Sequence, residues 1–586
     1  MKWKLENLYE SVPAWEEDFK KTEKGIEEIR TFEGTLHEFE SFKAYYILQK
    51  ELSKKLNKLY QYASLKSDLD KKNVKNAAKL QRVGNLVDSY KKATAFEAPE
   101  LIELGRDTVF SYIEKDEALK AFRFPMEKLF HQSDYILDEK SEKLLSHYNR
   151  LSKQGSNLHG ALSIADNASR EVTLKNGERI TVTSGNFRSH LADLQDAGDR
   201  QKVFEAIFSH YDRHRYTFAQ IYDTVLQSDI AKKEARGYPS TLEAYLHGNR
   251  IDPKVYHNLL ETAEANTHLI KRYYALRKKV LNLKEHRTFD RFLPLAEGTS
   301  TFSYEGAKSL FFDAAKELGD DFHEKARDAL KDGYVDVYEQ DGKQDGAYSS
   351  SALDEHPFIL LNYDGTLSDV FTVAHEAGHS MHSLYAMENQ PIPTQNYPIF
   401  VAEVASTFNE HLLLDAFIEE NKGTREDRIQ LLQQSIDDII ATFFRQTLFA
   451  AYELKAHEKA EANEPITHET LSGIMQDLYK SFYDIDIDEE PGKSAVWAFV
   501  PHMFFAPYYV YQYATSFAAS LALYKEVKKD PANIKRHIDL LKSGGSDFPL
   551  DQLADAGVDL KDKKAFNGVI ERFEALLDEL EVALNA

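Results

Sequence analysis

The segment TVAHEAGHSMHS, residues 372–383, constrains this chain more than any other. His375, Glu376 and His379 form an H-E-x-x-H pattern. On a helix, residues i and i+4 sit one turn apart on one face, about 6 Å along the axis. Two imidazoles so placed converge on a metal ion at roughly 2.0–2.1 Å each, and the intervening glutamate reaches a water on that ion. The flanks favour a helix from about Asp369 to Glu388, with Thr366 or Ser368 as N-cap and Asn389 and Pro391 as the stop. Thr372, Val373, Ala374 and Ala377 surround the polar trio with small or apolar groups, and a buried polar trio needs partners. Gly378 costs a helix about 1 kcal/mol relative to alanine, so it predicts the close approach of another backbone.

A catalytic site of this type needs a third protein ligand. His382 is near, but it lies seven residues from His375, about 10.5 Å along the axis, so three side chains of one straight helix converge poorly. It is expected to pack or to support. The stretch FVAEVASTFNEHLLLDAF, 400–417, reads as a helix carrying Glu403 and Glu410 on one face among Phe400, Val401, Val404, Ala405 and Phe408. Acids in such company need a cation or a donor. Glu403 is the candidate third ligand and Glu410 the candidate partner of a ligating histidine; a salt bridge to a distant Lys or Arg is the alternative. A third segment, PHMFFAPYYVYQYATS, is dense in tyrosine. Phe504, Phe505 and Phe517 read as core. Tyr508, Tyr509, Tyr511 and Tyr513 cannot all face one core, and a neutral phenol is a hydrogen-bond donor suited to a developing oxyanion.

The rest of the chain frames these segments. With 586 residues, two or more lobes are expected, and helix formers dominate most stretches. Amphipathic helices fill residues 1 to about 170; EVTLKNGERITVTS then signals a β-hairpin turning at Asn176-Gly177. A boundary near 185 divides the chain into 1–185 and 186–586. A second β region follows, with a turn at Asp341-Gly342 and a strand from Phe358 to Tyr363, directly before the motif helix. The net charge of −23 and the lack of a basic stripe argue against nucleic acid. With no cysteine, any zinc must be held by His, Asp or Glu. Neither a secretory signal nor an apolar span of ~18 residues is visible, so a soluble cytoplasmic protein without a membrane partner is expected.

Three blocks together resemble oligoendopeptidase F, of the thimet oligopeptidase family of zinc metallopeptidases: GAYSSS with HPFILLNYDGTLSDVFTVAHEAGHSMHS, FVAEVASTFNEHLLLD, and PGKSAVWAFVPHMFFAPYYVYQYATSFAAS. The resemblance implies a mainly α, two-lobed helical fold with a deep substrate channel, and an endopeptidase acting on unstructured oligopeptides. It puts one zinc ion on His375, His379 and Glu403, with Glu376 as general base. His502 would be an oxyanion donor together with Tyr513 and either Tyr508 or Tyr509, Tyr509 being preferred. The strand at 356–363 is expected to pair with an extended substrate. Rival readings are a carboxypeptidase or dipeptidyl peptidase with the same motif, which would need an anchor for a terminal charge, and a non-catalytic helical peptide-binding protein.

Overall fold

The computed structural model describes residues 2–296, 301–419 and 424–585. Among them the chain is mainly helical, with a two-stranded and a three-stranded sheet. The amphipathic stretch near the N-terminus forms one helix, Phe39–Leu69, and its apolar spacing puts Phe42, Tyr46, Leu52, Leu56 and Leu59 in a core. The predicted hairpin is present: β1 (Arg170–Thr173) pairs antiparallel with β2 (Arg179–Val182), and Gly177 takes the positive φ the turn requires.

Two buried apolar clusters organise the molecule. One gathers residues from Trp3 to Met126; the other gathers residues from Val172 to Ala583 and includes the hairpin's Val172, Leu174 and Val182. The second sheet is the seam between them. β3 (Val335–Asp336), β4 (Tyr348–Ser350) and β5 (Phe358–Leu360) are ordered β3-β5-β4, with β5 parallel to β3 and antiparallel to β4. Side chains alternate across a strand, so Phe358 and Leu360 enter the N-terminal cluster while Ile359 and Leu361 enter the larger one.

That order corrects one expectation. The strand expected to receive substrate, 356–363, contains β5, and β5 already has a strand on each side. Its backbone groups are spent on the ladder and cannot accept a peptide. The sheet edge beside the motif helix is β4, whose Ser349 hydroxyl lies 2.8 Å from that of Ser380 on the motif helix. No described helix is long and apolar enough to cross a membrane.

Candidate metal centre

Three helices build the site. The motif helix runs Leu367–Asn389 and starts in a capping box between Thr366 and Asp369. The partner helix, Ile399–Glu419, is buried on nearly every face, so an ionisable residue on it must find company. The tyrosine helix, Tyr511–Lys529, packs on the partner helix and ties to it through Ser516 Oγ, which donates to the Phe400 carbonyl at 2.7 Å. Gly378 is where the motif and partner helices touch. A Cβ there would lie 2.6 Å from both the Ala405 carbonyl oxygen and Ser406 Cα, so only glycine permits the contact. Asn409 spans the same interface, its Nδ2 donating to the Ala374 carbonyl at 3.0 Å.

Across this contact three donors meet. Glu403 Oε2 is 3.5 Å from His375 Nε2 and 3.4 Å from His379 Nε2. Bonds of 2.0–2.1 Å at tetrahedral angles separate donor atoms by about 3.3–3.4 Å, so the three residues fit a tetrahedral ion with one position left over. They are the one His/Cys/Asp/Glu cluster with metal-ligand spacing among the described residues. Glu410 Oε1 lies 2.5 Å from His375 Nδ1 and so fixes the ring with Nε2 turned inward. Ser406 Oγ donates to Glu403 Oε2 at 3.0 Å.

The field of the site favours a cation. Burial opposes charge on His375, yet Glu410, Glu376 and Glu403 outweigh it and lift the imidazole to about 10. Burial also works against the Glu403 carboxylate, but His379 and His375 prevail and hold it at about 2. Glu376 is different. Burial pushes its carboxyl above the usual range, and its Oε2 is enclosed with no hydrogen-bond partner. A carboxylate oxygen without a hydrogen-bond partner beside two candidate ligand histidines is placed for a water or a substrate proton. Asp438 is open to water, yet burial and then Glu410 drive its carboxyl far up.

His382 is fully buried and stacks flat on Tyr397, with ring centroids 3.4 Å apart and planes 5° from parallel. Neither of its nitrogens has a partner, and burial keeps the ring neutral. It packs behind the site.

The tyrosine segment divides cleanly. Tyr508 and Tyr511 are buried: Tyr508 Oη meets Thr241 Oγ1 at 3.1 Å, and Tyr511 packs on Tyr256. His502, Tyr509 and Tyr513 remain partly exposed and form their own cluster, with centroids 5.6 Å (His502–Tyr509), 6.1 Å (His502–Tyr513) and 5.5 Å (Tyr509–Tyr513) apart. Burial above all raises both phenols, with the Glu403 charge adding to it, so they stay protonated. Tyr508 causes the split. Its φ of +53° turns the chain left-handed, and its N–H donates to the buried Glu453 Oε1 at 3.1 Å. Phe505 departs from expectation. It is 57% exposed, beside His502, because the short helix His502–Phe505 ends there and leaves it on the open side; Phe504 and Phe517 are core. Glu453 and Asp438 were not singled out from sequence; each is an acid in an apolar stretch, the same signal that marks Glu403.

The comparisons agree with this architecture. Residues 190–571 match the model of peptidase family M3, and residues 100–167 match that of oligopeptidase F. Oligopeptidase PepF of Bacillus subtilis is 34% identical over 99% of this chain and 87% of its own length. A crystal structure from Chlamydophila abortus superposes with a TM-score of 0.87 at 31% identity, covering 99% of this chain and 98% of the other. Oligoendopeptidase-F from Enterococcus faecium gives 0.77 at 26%, covering 97% and 98%. A family model spanning most of the chain, on a fold shared end to end, leaves one conclusion: the chain belongs to peptidase family M3 and is a metallopeptidase acting on oligopeptides.

Proposed function

We propose that the protein is a zinc endopeptidase that cleaves internal bonds of unstructured oligopeptides, and that it works in the cytoplasm. The observation that carries this is the triangle of His375, His379 and Glu403, set beside the partnerless carboxylate oxygen of Glu376. In the described site the donor spacing and the donor chemistry both fit zinc. When bound, the ion supplies a Lewis acid for the scissile carbonyl and lowers the pKa of a water.

The chain's own residues do the rest. Glu376 accepts the attacking water's proton at its free oxygen and returns it to the leaving amine. Glu410 holds His375 in the tautomer that presents Nε2. His502, Tyr509 and Tyr513 are the donors to the developing oxyanion; one such donor is worth roughly 10²–10³ in kcat. Tyr509, rather than Tyr508, partners Tyr513 in this reading. An extended substrate meets the sheet at β4. In this reading residues 1–185 are an N-terminal helical domain, whose terminal hairpin packs into the core of the catalytic domain, 186–586.

The test is elemental analysis followed by assays on internally quenched peptides of ~5 to ~30 residues. The reading expects about one zinc per chain, internal cleavage, and loss of activity in Glu376→Gln. Metal-free active protein would overturn it, and release of terminal residues alone would place the enzyme among exopeptidases.

A further inference from the structure

Large apolar side chains are exposed at sixteen places among the described residues, and five of these fall within residues 144–164. They are Leu144, Tyr148, Leu151, Leu158 and Ile164. Such a concentration marks an interaction or ligand-binding surface, whereas scattered single residues mark nothing.

Four of the five belong to one helical rod. The helix Glu139–Ser152 passes through Lys153, which keeps a right-handed backbone, into the helix Gln154–Gly160. Along the rod Leu144, Tyr148, Leu151, Gly155 and His159 recur at spacings of four and three, so they share one face. That face is covered at one end only. Gly155 lies against the helix Arg215–Arg236, where a Cβ would sit 2.7 Å from Val225 Cγ2. His159 stacks on Phe504, with centroids 3.9 Å apart and planes at 19°, and its Nε2 lies 2.9 Å from the Ala498 carbonyl oxygen. Toward the N-terminus the same face is bare. Leu144, Tyr148 and Leu151 are 58, 57 and 60% exposed, and Leu158, half exposed, borders them.

The covered end abuts the candidate oxyanion donors. Phe504 belongs to the short helix His502–Phe505, which packs on Gln154–Gly160. Phe505 ends that helix exposed, its ring 5.1 Å from that of His502. Exposed apolar groups therefore flank the His159–Phe504 stack on both of its chains: Phe505 on one, and Leu158, Leu151, Tyr148 and Leu144 on the other. At 1.5 Å per residue, the bare stretch from Leu151 to Leu144 lies about 12 to 22 Å from His159 along the rod. An extended peptide rises about 3.3 Å per residue, so it spans that distance in about four to seven residues.

Size and charge choose the occupant. Four part-exposed side chains offer less than the roughly 800 Å² per partner that a stable dimer buries. A net charge of −23 disfavours an anionic lipid surface. An extended chain running on from the oxyanion donors has the scale of the stripe, and uncharged side chains on it meet an uncharged face.

Resting on the oligopeptidase reading above, we propose that Leu144, Tyr148, Leu151 and Leu158 form an apolar subsite for one arm of the bound peptide, entered past Phe505. It takes aliphatic or aromatic side chains about four to seven residues from the scissile bond. Burial of area, rather than hydrogen bonding, supplies the affinity, so the subsite reads composition and not an exact sequence.

The test uses the full-length zinc-loaded enzyme and quenched peptides whose arms of Gly, Ser and Gln extend about eight residues on each side of the scissile bond. One leucine is walked outward along each arm. The readout is the ratio of kcat/KM for each leucine peptide to that for its glutamine counterpart in the same enzyme. Wild type is expected to give a ratio of roughly 3 to 10, through KM, at about four to seven residues out on one arm. In Leu151→Gln, and in Leu144→Gln should the first variant fold poorly, the ratio is expected to fall to about one. General damage to the fold would slow both peptides alike and leave the ratio standing. A wild-type ratio near one throughout that range on both arms, or a ratio that survives the substitutions, overturns the subsite. So does concentration-dependent self-association in sedimentation that Leu151→Gln abolishes, which would give the face to a second copy of the chain. If wild type cuts none of the peptides, the oligopeptidase reading fails and the subsite with it.

Discussion

The motif and partner helices, on one side, and the tyrosine segment, on the other, supply the same site in opposite ways. In the first pair, helical periodicity sorts every residue. His375 and His379 share a face, His382 rotates away into a stack with Tyr397, and Glu403 meets both histidines across the Gly378 notch. In the tyrosine segment, periodicity fails at Tyr508. The left-handed residue sends two phenols inward and two outward within six positions. Regular secondary structure announces its functional residues by spacing; an irregular turn announces only their composition.

The comparison is broken most severely at Glu376. Glu376→Gln is expected to retain zinc by elemental analysis and to lose at least ~10³-fold in kcat, since in the proposed mechanism it removes the base and not a ligand. Activity near wild type would show that another group takes the proton. The next largest effects should separate the outward phenols from the inward ones. Tyr513→Phe and Tyr509→Phe are expected to lower kcat by roughly 10²-fold with KM little changed. Tyr508→Phe and Tyr511→Phe should keep kcat within a few-fold. Tyr508→Phe should also lose about 1 kcal/mol of stability with its Thr241 hydrogen bond, read by denaturant melts. Reversed assignments would mean the Tyr508 turn rearranges on substrate binding.

On the helical side, His382→Phe keeps the stack on Tyr397 and drops two unpartnered buried nitrogens. It should leave zinc content intact and stability unchanged or raised by up to ~1 kcal/mol. Zinc loss in this variant would restore His382 as a ligand.

The smallest effect concerns Glu453, which anchors the turn. Burial raises its carboxyl to about 8, far above the value of an exposed glutamate. Between pH ~4.5 and ~8 the unfolded chain ionises while the folded one keeps its proton, so this group's contribution to stability falls as pH rises through that window. Glu453→Gln retains the acceptor for Tyr508 N–H and removes the titration. Its melting temperature should therefore exceed that of wild type by a few degrees at pH 8 and differ little at pH 5.

Much of this was readable from spacing. The motif helix, its Thr366 cap, the tight approach at Gly378, the hairpin at Asn176-Gly177 and the Glu403 contact all follow from periodicity and turn chemistry. What was not readable depends on order in space. A run such as Phe358–Leu361 is apolar whether it is an edge or the middle of a sheet, and here it is the middle, because it divides its two faces between two cores. Phe505 looked like core because composition does not say where a four-residue helix ends.

The contact at Gly378 has a consequence for metal exchange. With a backbone lodged where a side chain would be, the spacing of the motif and partner helices, and with it the donor triangle, is set by direct backbone contact. A metal held there would bind at little ordering cost, because its donors are already brought together by that contact. Widening the notch by mutation would loosen the ion's grip without touching a single ligand.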